Sequence, residues 1–129
     1  MARGTQLSVA LENKRGQLAR VAAAVAGAKA NILAISVSDS ADMGVVRLVT
    51  SSNAKARAAL KRAGMTAAQT PVIVAKLPNK PGALAAAARK LAAARVNIEY
   101  VYGSAARIGE PSTIVFGVSD IARAARVKL

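Results

Sequence analysis

The sequence predicts an α+β protein built from two copies of one small unit. The string Asn-Lys-Arg-Gly-Gln-Leu-Ala at positions 13–19 returns as Asn-Lys-Pro-Gly-Ala-Leu-Ala at 79–85, an offset of 66 residues. The same offset places the tripeptide 30–32 on 96–98, with nothing inserted between the two matches. Strand-like and helix-like apolar patterns also follow one another in the same order in both halves. A fixed offset of this kind indicates a duplicated structural unit.

Each unit opens with an alternating strand and an amphipathic helix. Apolar residues alternate at 7, 9 and 11 and again at 73, 75 and 77, which predicts two strands. The helices show apolar residues at i, i+3, i+4 and i+7. These two stripes are Leu18, Val21, Ala22 and Val25, then Leu84, Ala87, Ala88 and Leu91. Because such a stripe faces a core, we expect Leu18 and Leu84 to be core residues that line or floor a pocket.

Two further strands and a second helix complete each unit. We predict strands at 32–37 and 45–50 in the first half and at 98–102 and 113–118 in the second. Asn53 and Asp120 are the expected N-caps of the second helices, Gly64 is the expected C′ residue, and Ile121, Ala125 and Leu129 should share a face. A short strand at 65–69 has no counterpart in the second half, so the order is βαββαβ followed by βαββα. We therefore assign domains to 1–70 and 71–129, the second with an unpaired sheet edge that favours a homodimer.

Composition restricts the chemistry. With no Cys and no His, the chain lacks the thiol nucleophile and the commonest general base. Its six acidic residues are scattered, and the only close pair, Asp39 and Asp42, flanks a hairpin-turn composition. We therefore expect no enzymatic activity, no metal and no cofactor. Since no apolar run is long enough to span a bilayer and no signal peptide is present, we expect a soluble, cytoplasmic protein without membrane association.

The repeated turn resembles that of the ACT domain, in which Asn-Lys-Pro-Gly-x-Leu joins a first strand to a helix and Asn-Ile opens the second strand. The 66-residue spacing, with almost nothing outside the motifs, is similar to small stand-alone tandem-ACT proteins. This resemblance implies two ferredoxin-like βαββαβ units, with antiparallel sheets and helices on one face, the second unit lacking its last strand. It also implies an allosteric regulatory protein, without catalysis, that binds an amino acid or related metabolite between units, forms a homodimer and acts on a partner protein.

The residues of the turn have a chemistry of their own. Gly16 and Gly82 allow unusual backbone angles and close approach of a ligand, and the N–H groups of the following helix suit a carboxylate. Asn13 and Asn79 can bind an ammonium group or cap the turn. By resemblance, Asn31 and Asn97 face the turn of a neighbouring unit. The candidate ligand-binding residues are Asn13, Lys14, Arg15, Gly16, Gln17, Leu18, Asn31, Ile32, Asn79, Pro81, Gly82, Ala83, Leu84, Asn97 and Ile98.

Each of these residues also has a plainer interpretation. Glycine after Asn-Lys-Pro is usually a turn residue, and asparagine before a strand usually satisfies a loop. The two turns differ, since Arg15 stands where the second half has Pro81. Proline pre-sets the turn for the helix, whereas arginine supplies a cation that can bind a carboxylate directly. The two sites need not be equivalent.

A net charge of +13 supports an alternative function, a basic module that binds nucleic acid or an acidic protein. Specific single-strand binders with a similar sheet stack bases on aromatic residues. This chain has only three aromatic residues, Tyr100, Tyr102 and Phe116. Tyr100 and Tyr102 share a strand face, where they can close a ligand pocket or pack at a dimer seam, and we favour the seam.

Overall fold

The computed structural model describes residues 1–40 and 43–129 of the chain. Its elements, in chain order, are β1 (Arg3–Glu12), α1 (Gln17–Gly27), β2 (Ile32–Ser40), β3 (Met43–Thr50), α2 (Asn53–Arg62), β4 (Ala67–Pro78), α3 (Ala83–Ala93), β5 (Ile98–Ser104), β6 (Pro111–Val118) and α4 (Ile121–Ala125). They confirm the α+β class and the repeated order of strands and helices. No helix in the described ranges is long and apolar enough to cross a membrane.

The chain divides into two compact units. Residues Thr5–Thr70 form the first, which we call the N-terminal unit. Residues Pro71–Leu129, together with Met1–Gly4, form the second, which we call the C-terminal unit. The predicted short strand at 65–69 begins at Ala67 and belongs to the longer β4, which contributes residues to both units.

In the N-terminal unit, β3 lies between β2 and β1 and is antiparallel to both. Leu48 of β3 is paired with Leu7 of β1 and Ile35 of β2. Leu7 and Leu48 join Val21 and Val25 of α1 in one buried cluster. The core therefore lies between one face of the sheet and the helices, as an alternating strand and an amphipathic helix require.

The C-terminal unit repeats this arrangement, with β6 between β4 and β5. Phe116 of β6 is paired with Ile73 of β4, and both are fully buried in a cluster with Ala87 and Leu91 of α3. Since the same positions of the repeat supply both cores, the duplication extends to the packing.

The first four residues of the chain lie against the C-terminal unit. The Val74 amide in β4 donates to the Ala2 carbonyl at 3.0 Å, and Met1 packs against the C-terminal core cluster. The second unit lacks a last strand of its own, but this segment lies along β4 on the side that such a strand would occupy. The prediction of an unpaired edge at this position is therefore wrong, because residues distant in sequence cover it.

Two of the three predicted capping residues are confirmed, and one prediction is wrong. Asp120 caps α4 by accepting from the Arg123 amide at 2.9 Å, and Gly64 ends α2 with a φ of 83°. The N-cap of α2 is Ser52 rather than Asn53, and its hydroxyl accepts from the Lys55 amide at 3.4 Å. Asn53 is already helical, and its side chain instead donates to the Thr5 carbonyl at 2.6 Å. Ser52 and Asn53 are both residue types that cap helices, and the contact of the Asn53 side chain with Thr5 leaves the N-cap position to Ser52.

The first positions of the predicted helical stripes are not core residues. Leu18 is 47% exposed and Leu84 is 48% exposed, so that prediction is wrong for both. Each is the second residue of its helix, two positions after the turn glycine, and burial begins one turn later in each helix. In the stripe predicted for the last helix, Ile121 and Ala125 pack against the C-terminal core. The prediction is wrong for Leu129, which is exposed beyond the end of α4.

The hairpin predicted between the second and third strands is confirmed by the antiparallel pairing of β2 with β3. Residues 41 and 42 are not among the described residues, so the predicted turn role of Asp42 lies outside them. Asp39 is exposed, one residue before the end of β2, and accepts a hydrogen bond from Asn13 at 3.1 Å. This bond joins the end of the hairpin to the turn that precedes α1.

Candidate functional site

The two repeated turns have nearly identical backbone geometry. Gly16 and Gly82 have φ angles of 88° and 87°, in the left-handed region that favours glycine, and each immediately precedes a helix. Neither helix has a side-chain cap at its start. The first N–H groups of a helix have no acceptor within it, and they carry the positive end of the helix dipole. Each turn therefore presents a small, electropositive surface of backbone donors.

We expect Gly16→Ala to destabilise the protein by about 1–2 kcal/mol, since an L-residue pays this cost for the left-handed conformation. A Cβ at Gly16 would have no heavy atom within 4 Å, so the cost comes from the backbone alone. The matched control is Gly27→Ala at the end of α1, where φ is not positive and space is equally open. It should be neutral or stabilising by up to about 1 kcal/mol. Urea unfolding measures both, and equal stabilities for the two variants would contradict the left-handed turn.

The first turn lies beside a cleft of about 410 Å³. Lys14, Gln17 and Arg20 line it together with Leu11 and Met65. The Arg20 guanidinium is held in place, since it donates to the Gln17 side chain at 3.3 Å and to the Ala63 carbonyl at 2.9 Å. Lys14 forms an exposed ion pair with Glu12 at 3.3 Å. The cleft thus has a polar, partly neutralised wall.

Four candidates at the first turn do not line this cleft. Asn13 directs its amide to Asp39, and Arg15 and Leu18 are exposed without lining the cleft. Gly16 also lines no cleft, although it shapes the turn. Of the predicted residues here, the structure brings Lys14 and Gln17 together around one cavity.

The second turn is fastened to the β5–β6 loop, residues 105–110. Asn79 donates from its side chain to the Ala106 carbonyl at 2.8 Å and from its backbone to the Glu110 carbonyl at 2.8 Å. Its own carbonyl accepts from the Gly109 amide at 2.9 Å. Asn79 therefore holds a loop, which is the plainer of the two roles that the sequence allows for it.

A cleft of about 320 Å³ lies at the second turn, and Pro81, Gly82 and Ala83 line it as predicted site residues. Two lysines that the sequence analysis did not select, Lys80 and Lys90, line it as well. Lys90 lies at i+7 from Ala83, on the helical face next to the buried stripe, and that spacing is the signal that identifies it. Leu84 is not among the lining residues.

The two clefts occupy equivalent positions in the repeat. Leu11 and Leu77, Lys14 and Lys80, Gln17 and Ala83, and Arg20 and Ala86 correspond at the 66-residue offset, and all of them line the two cavities. The polar Gln17 and Arg20 of the first cleft are replaced by alanines in the second. The second cleft is consequently the more apolar, and no Asp or Glu is among its lining residues.

The strand-opening candidates lie at the opposite end of each unit from its turn. The backbone N–H of Asn31 donates to the Ser51 hydroxyl at 2.8 Å, and the backbone N–H of Asn97 donates to the Ser119 hydroxyl at 3.1 Å. β2 starts at Ile32, directly after Asn31, and its nine residues span about 26 Å before the strand reaches the first glycine turn. Within one unit, Asn31 and Ile32 therefore do not meet the first turn, nor do Asn97 and Ile98 meet the second.

Tyr100 and Tyr102 lie on the face of the C-terminal sheet that points away from the helices. They are paired with Gly117 and Val115, which alternate with the core residue Phe116. Their rings are stacked, with centroids 6.5 Å apart and planes 16° apart, and the Tyr100 ring lies over Gly117. Neither ring lines the cleft of the second turn, so among the described residues they do not close that pocket.

Two α+β units, each an antiparallel sheet with helices on one face and a glycine turn before its first helix, define a tandem repeat of the ferredoxin-like class. The chain belongs to the ACT domain pair family, whose model matches residues 3–129. This confirms both the resemblance and the predicted fold class. No curated protein matches the sequence.

Solved structures share this fold over nearly the whole chain. Protein BT0572 from Bacteroides thetaiotaomicron is 34% identical, with a TM-score of 0.85 over 95% of this chain and 83% of that one. The regulatory subunit of aspartate kinase from Thermus thermophilus, in its ligand-free form, is 15% identical, with a TM-score of 0.68 over 97% and 91%. Its counterpart from Thermus flavus is 18% identical, with a TM-score of 0.61 over 97% and 92%. The last two likenesses concern the fold.

Proposed function

We propose that this protein is a regulatory module without catalytic activity that binds a small amino acid or related metabolite at its glycine turns. The observation that carries the proposal is the duplicated left-handed glycine before an uncapped helix, each time beside a cleft with a lysine. Backbone donors at a helix start bind carboxylates well, because orphan N–H groups and the dipole act together. Two structurally similar proteins are regulatory subunits of aspartate kinase, which agrees with a regulatory role.

The second cleft has the chemistry to hold such a ligand. Its carboxylate would accept from the first-turn amides of α3, with Lys80 and Lys90 supplying positive charge. Leu77 and Ala87 provide an apolar wall for a short side chain. In the first cleft Gln17 and Arg20 replace part of that apolar wall, so a ligand there would be more polar. We therefore propose two sites of different affinity.

A second copy of the chain would complete these sites. Because Asn31 and Asn97 lie far from the turns of their own units, they can join a turn only across a boundary between units or copies. Exposed apolar side chains lie on β2 and β5, the outer strands among the described residues, and at Leu18 and Leu84 in the first turns of α1 and α3. An exposed apolar patch on a folded protein commonly marks an interface. We propose a homodimer built on this surface, which reports ligand binding to a partner protein as an allosteric change.

Thermal unfolding with each common amino acid tests ligand binding. A ligand at 100 times its dissociation constant should stabilise the protein by about 2.7 kcal/mol and raise Tm by on the order of 10 °C. Lys90→Gln should abolish most of this increase if the second cleft is the site. Arg89→Gln removes a charge from the same helix outside the cleft and serves as the matched control. Equal responses of the two variants would exclude the second cleft.

Arg15→Pro separates the two turns in the same assay. This substitution gives the first turn the proline that the second turn has, and it removes the cation. Unchanged affinity would rule out a direct contact between Arg15 and the ligand.

The competing proposal is a basic module for nucleic acid or an acidic protein, and the excess of 19 basic over six acidic residues supports it. Phosphate contacts make such binding fall steeply with salt. If no amino acid raises Tm while oligonucleotides bind with a steep salt dependence, the amino-acid proposal is overturned in favour of this one.

A further inference from the structure

A third cavity, of about 440 Å³, lies between α2 and the start of β4 within the N-terminal unit. We call it the α2 groove. Its walls include Arg57, Ala58, Lys61, Met65, Ala67 and Gln69. Cavities of this volume hold small organic ligands. Met65 and Thr66 line both the groove and the cleft of the first turn, and no residue of the candidate set lines the groove.

One wall of the groove carries two cations. Arg57 and Lys61 are one helical turn apart and lie side by side on the exposed face of α2. Neither has a carboxylate partner within residues 1–40 and 43–129, and no acidic residue lines the groove. The positive charge at this surface is therefore uncompensated, which favours an anion.

The guanidinium of Arg57 is held in place before any ligand arrives. Its Nε donates to the Ala67 carbonyl at 3.1 Å, a bond from α2 to the first residue of β4. The two Nη groups remain available, in a planar arrangement that matches a carboxylate or a phosphate. A cation already held in the binding geometry loses less entropy when a ligand binds.

The rest of the groove is apolar at its base and polar at its edge. Met65 and Ala67 are only 6% and 3% exposed and belong to the core of the unit. Ala58, next to Arg57 on the helix, also lines the groove, and Gln69 lines the strand side. A ligand that fills this space combines a charged group at the α2 wall with a short hydrocarbon part against the base.

We propose that the α2 groove is a separate site for a compact organic anion, a carboxylate or phosphate monoester with a short aliphatic chain. Its two cations line neither cleft of the glycine turns, so the proposal does not depend on amino-acid binding there. Arg57 and Lys61 bind the anion, and Ala58 and Met65 contact the aliphatic part. Because both cations are exposed, affinity should decrease as salt increases.

Methyl groups of methionine report on this site in the full-length chain. The protein contains three methionines: Met65 lines the groove, Met43 lines only the cleft of the first turn, and Met1 packs in the C-terminal unit. With ¹³C-methyl methionine, butyl phosphate at up to about 10 mM should shift the Met65 resonance in NMR spectra and leave the other two in place. Inorganic phosphate should bind more weakly than butyl phosphate, since it lacks the aliphatic part.

Charge-neutral variants test the two cations. Lys61→Gln should weaken butyl phosphate binding by about fivefold or more, the effect of losing a charge-assisted hydrogen bond at an exposed site. Lys55→Gln removes the same charge from the same helix outside the groove and should bind as the wild type does. The Lys61 side chain makes no hydrogen bond or ion pair with the described residues, so its substitution should leave the fold intact.

Three results would overturn the proposal. A Met65 resonance that stays in place at the highest concentration would show that the groove is empty. A shift of Met43 together with Met65 would place the ligand in the cleft of the first turn. Equal weakening of binding by Lys61→Gln and Lys55→Gln would reduce the effect to overall charge. An unchanged Tm with every amino acid would contradict only the function proposed for the glycine turns.

Discussion

Leu91→Ala is expected to destabilise the protein by about 2–5 kcal/mol, and Leu84→Ala by less than about 1 kcal/mol. Both leucines belong to the apolar stripe of α3, and the substitution is identical. Leu91 is fully buried in the C-terminal core, so its loss leaves a cavity against Ile73 and Phe116. Leu84 is 48% exposed, so the same truncation removes few internal contacts.

Urea unfolding at several protein concentrations checks this difference. The loss at Leu91 reflects packing within one unit and should appear at every concentration. Any loss at Leu84 should shrink on dilution, because the proposed dimer would bury the half of this side chain that is exposed in one chain. Equal, concentration-independent losses for the two variants would show that the first turn of α3 packs on the core.

The double variant Leu18→Asp, Leu84→Asp is expected to weaken the proposed homodimer by at least about 100-fold, because unpaired charges would enter an apolar contact. Leu18 and Leu84 are repeat equivalents with almost the same exposure, 47% and 48%. Ile35 and Val101, also equivalents at the 66-residue offset, add exposed apolar surface on the outer strands β2 and β5. The repeated exposure favours an interface over a chance surface position.

Analytical ultracentrifugation measures the dissociation constant of the dimer. Ile108→Asp adds a charge at a residue 90% exposed in the β5–β6 loop and is the control, which should dimerise as the wild type does. A wild-type chain that stays monomeric at high concentration would contradict the dimer. A double variant that remains dimeric would place the interface on another surface.

Much of the fold followed from local patterns. Strand alternation and helical spacing depend on which face of an element meets the core, and both can be counted along the chain. The cap at Asp120 and the left-handed Gly64 follow from the backbone chemistry of those residue types. The turn glycines Gly16 and Gly82 were identified because only glycine adopts such a φ without strain.

The candidate site was predicted less completely. The spacing of a helical stripe does not show at which residue burial begins, so the prediction placed Leu18 and Leu84 in the core. The amide of Asn79 is used on the β5–β6 loop, whose position depends on strand pairing across more than twenty residues. Lys80 was missed because a lysine in a turn has no distinctive local pattern, and Lys90 because its helical spacing identifies it only once Ala83 is known to line the cleft.

The sequence by itself determined the duplication, the order of elements and the two glycine turns, since each depends on residue types at short spacing. Only the tertiary structure decided which residues surround each turn. It placed Lys90 in the second cleft, set Asn31 at the far end of its unit, and laid residues 1–4 along β4. The physical reason is that binding surfaces form where distant segments meet, and those meetings depend on packing and strand register rather than on neighbours in the chain.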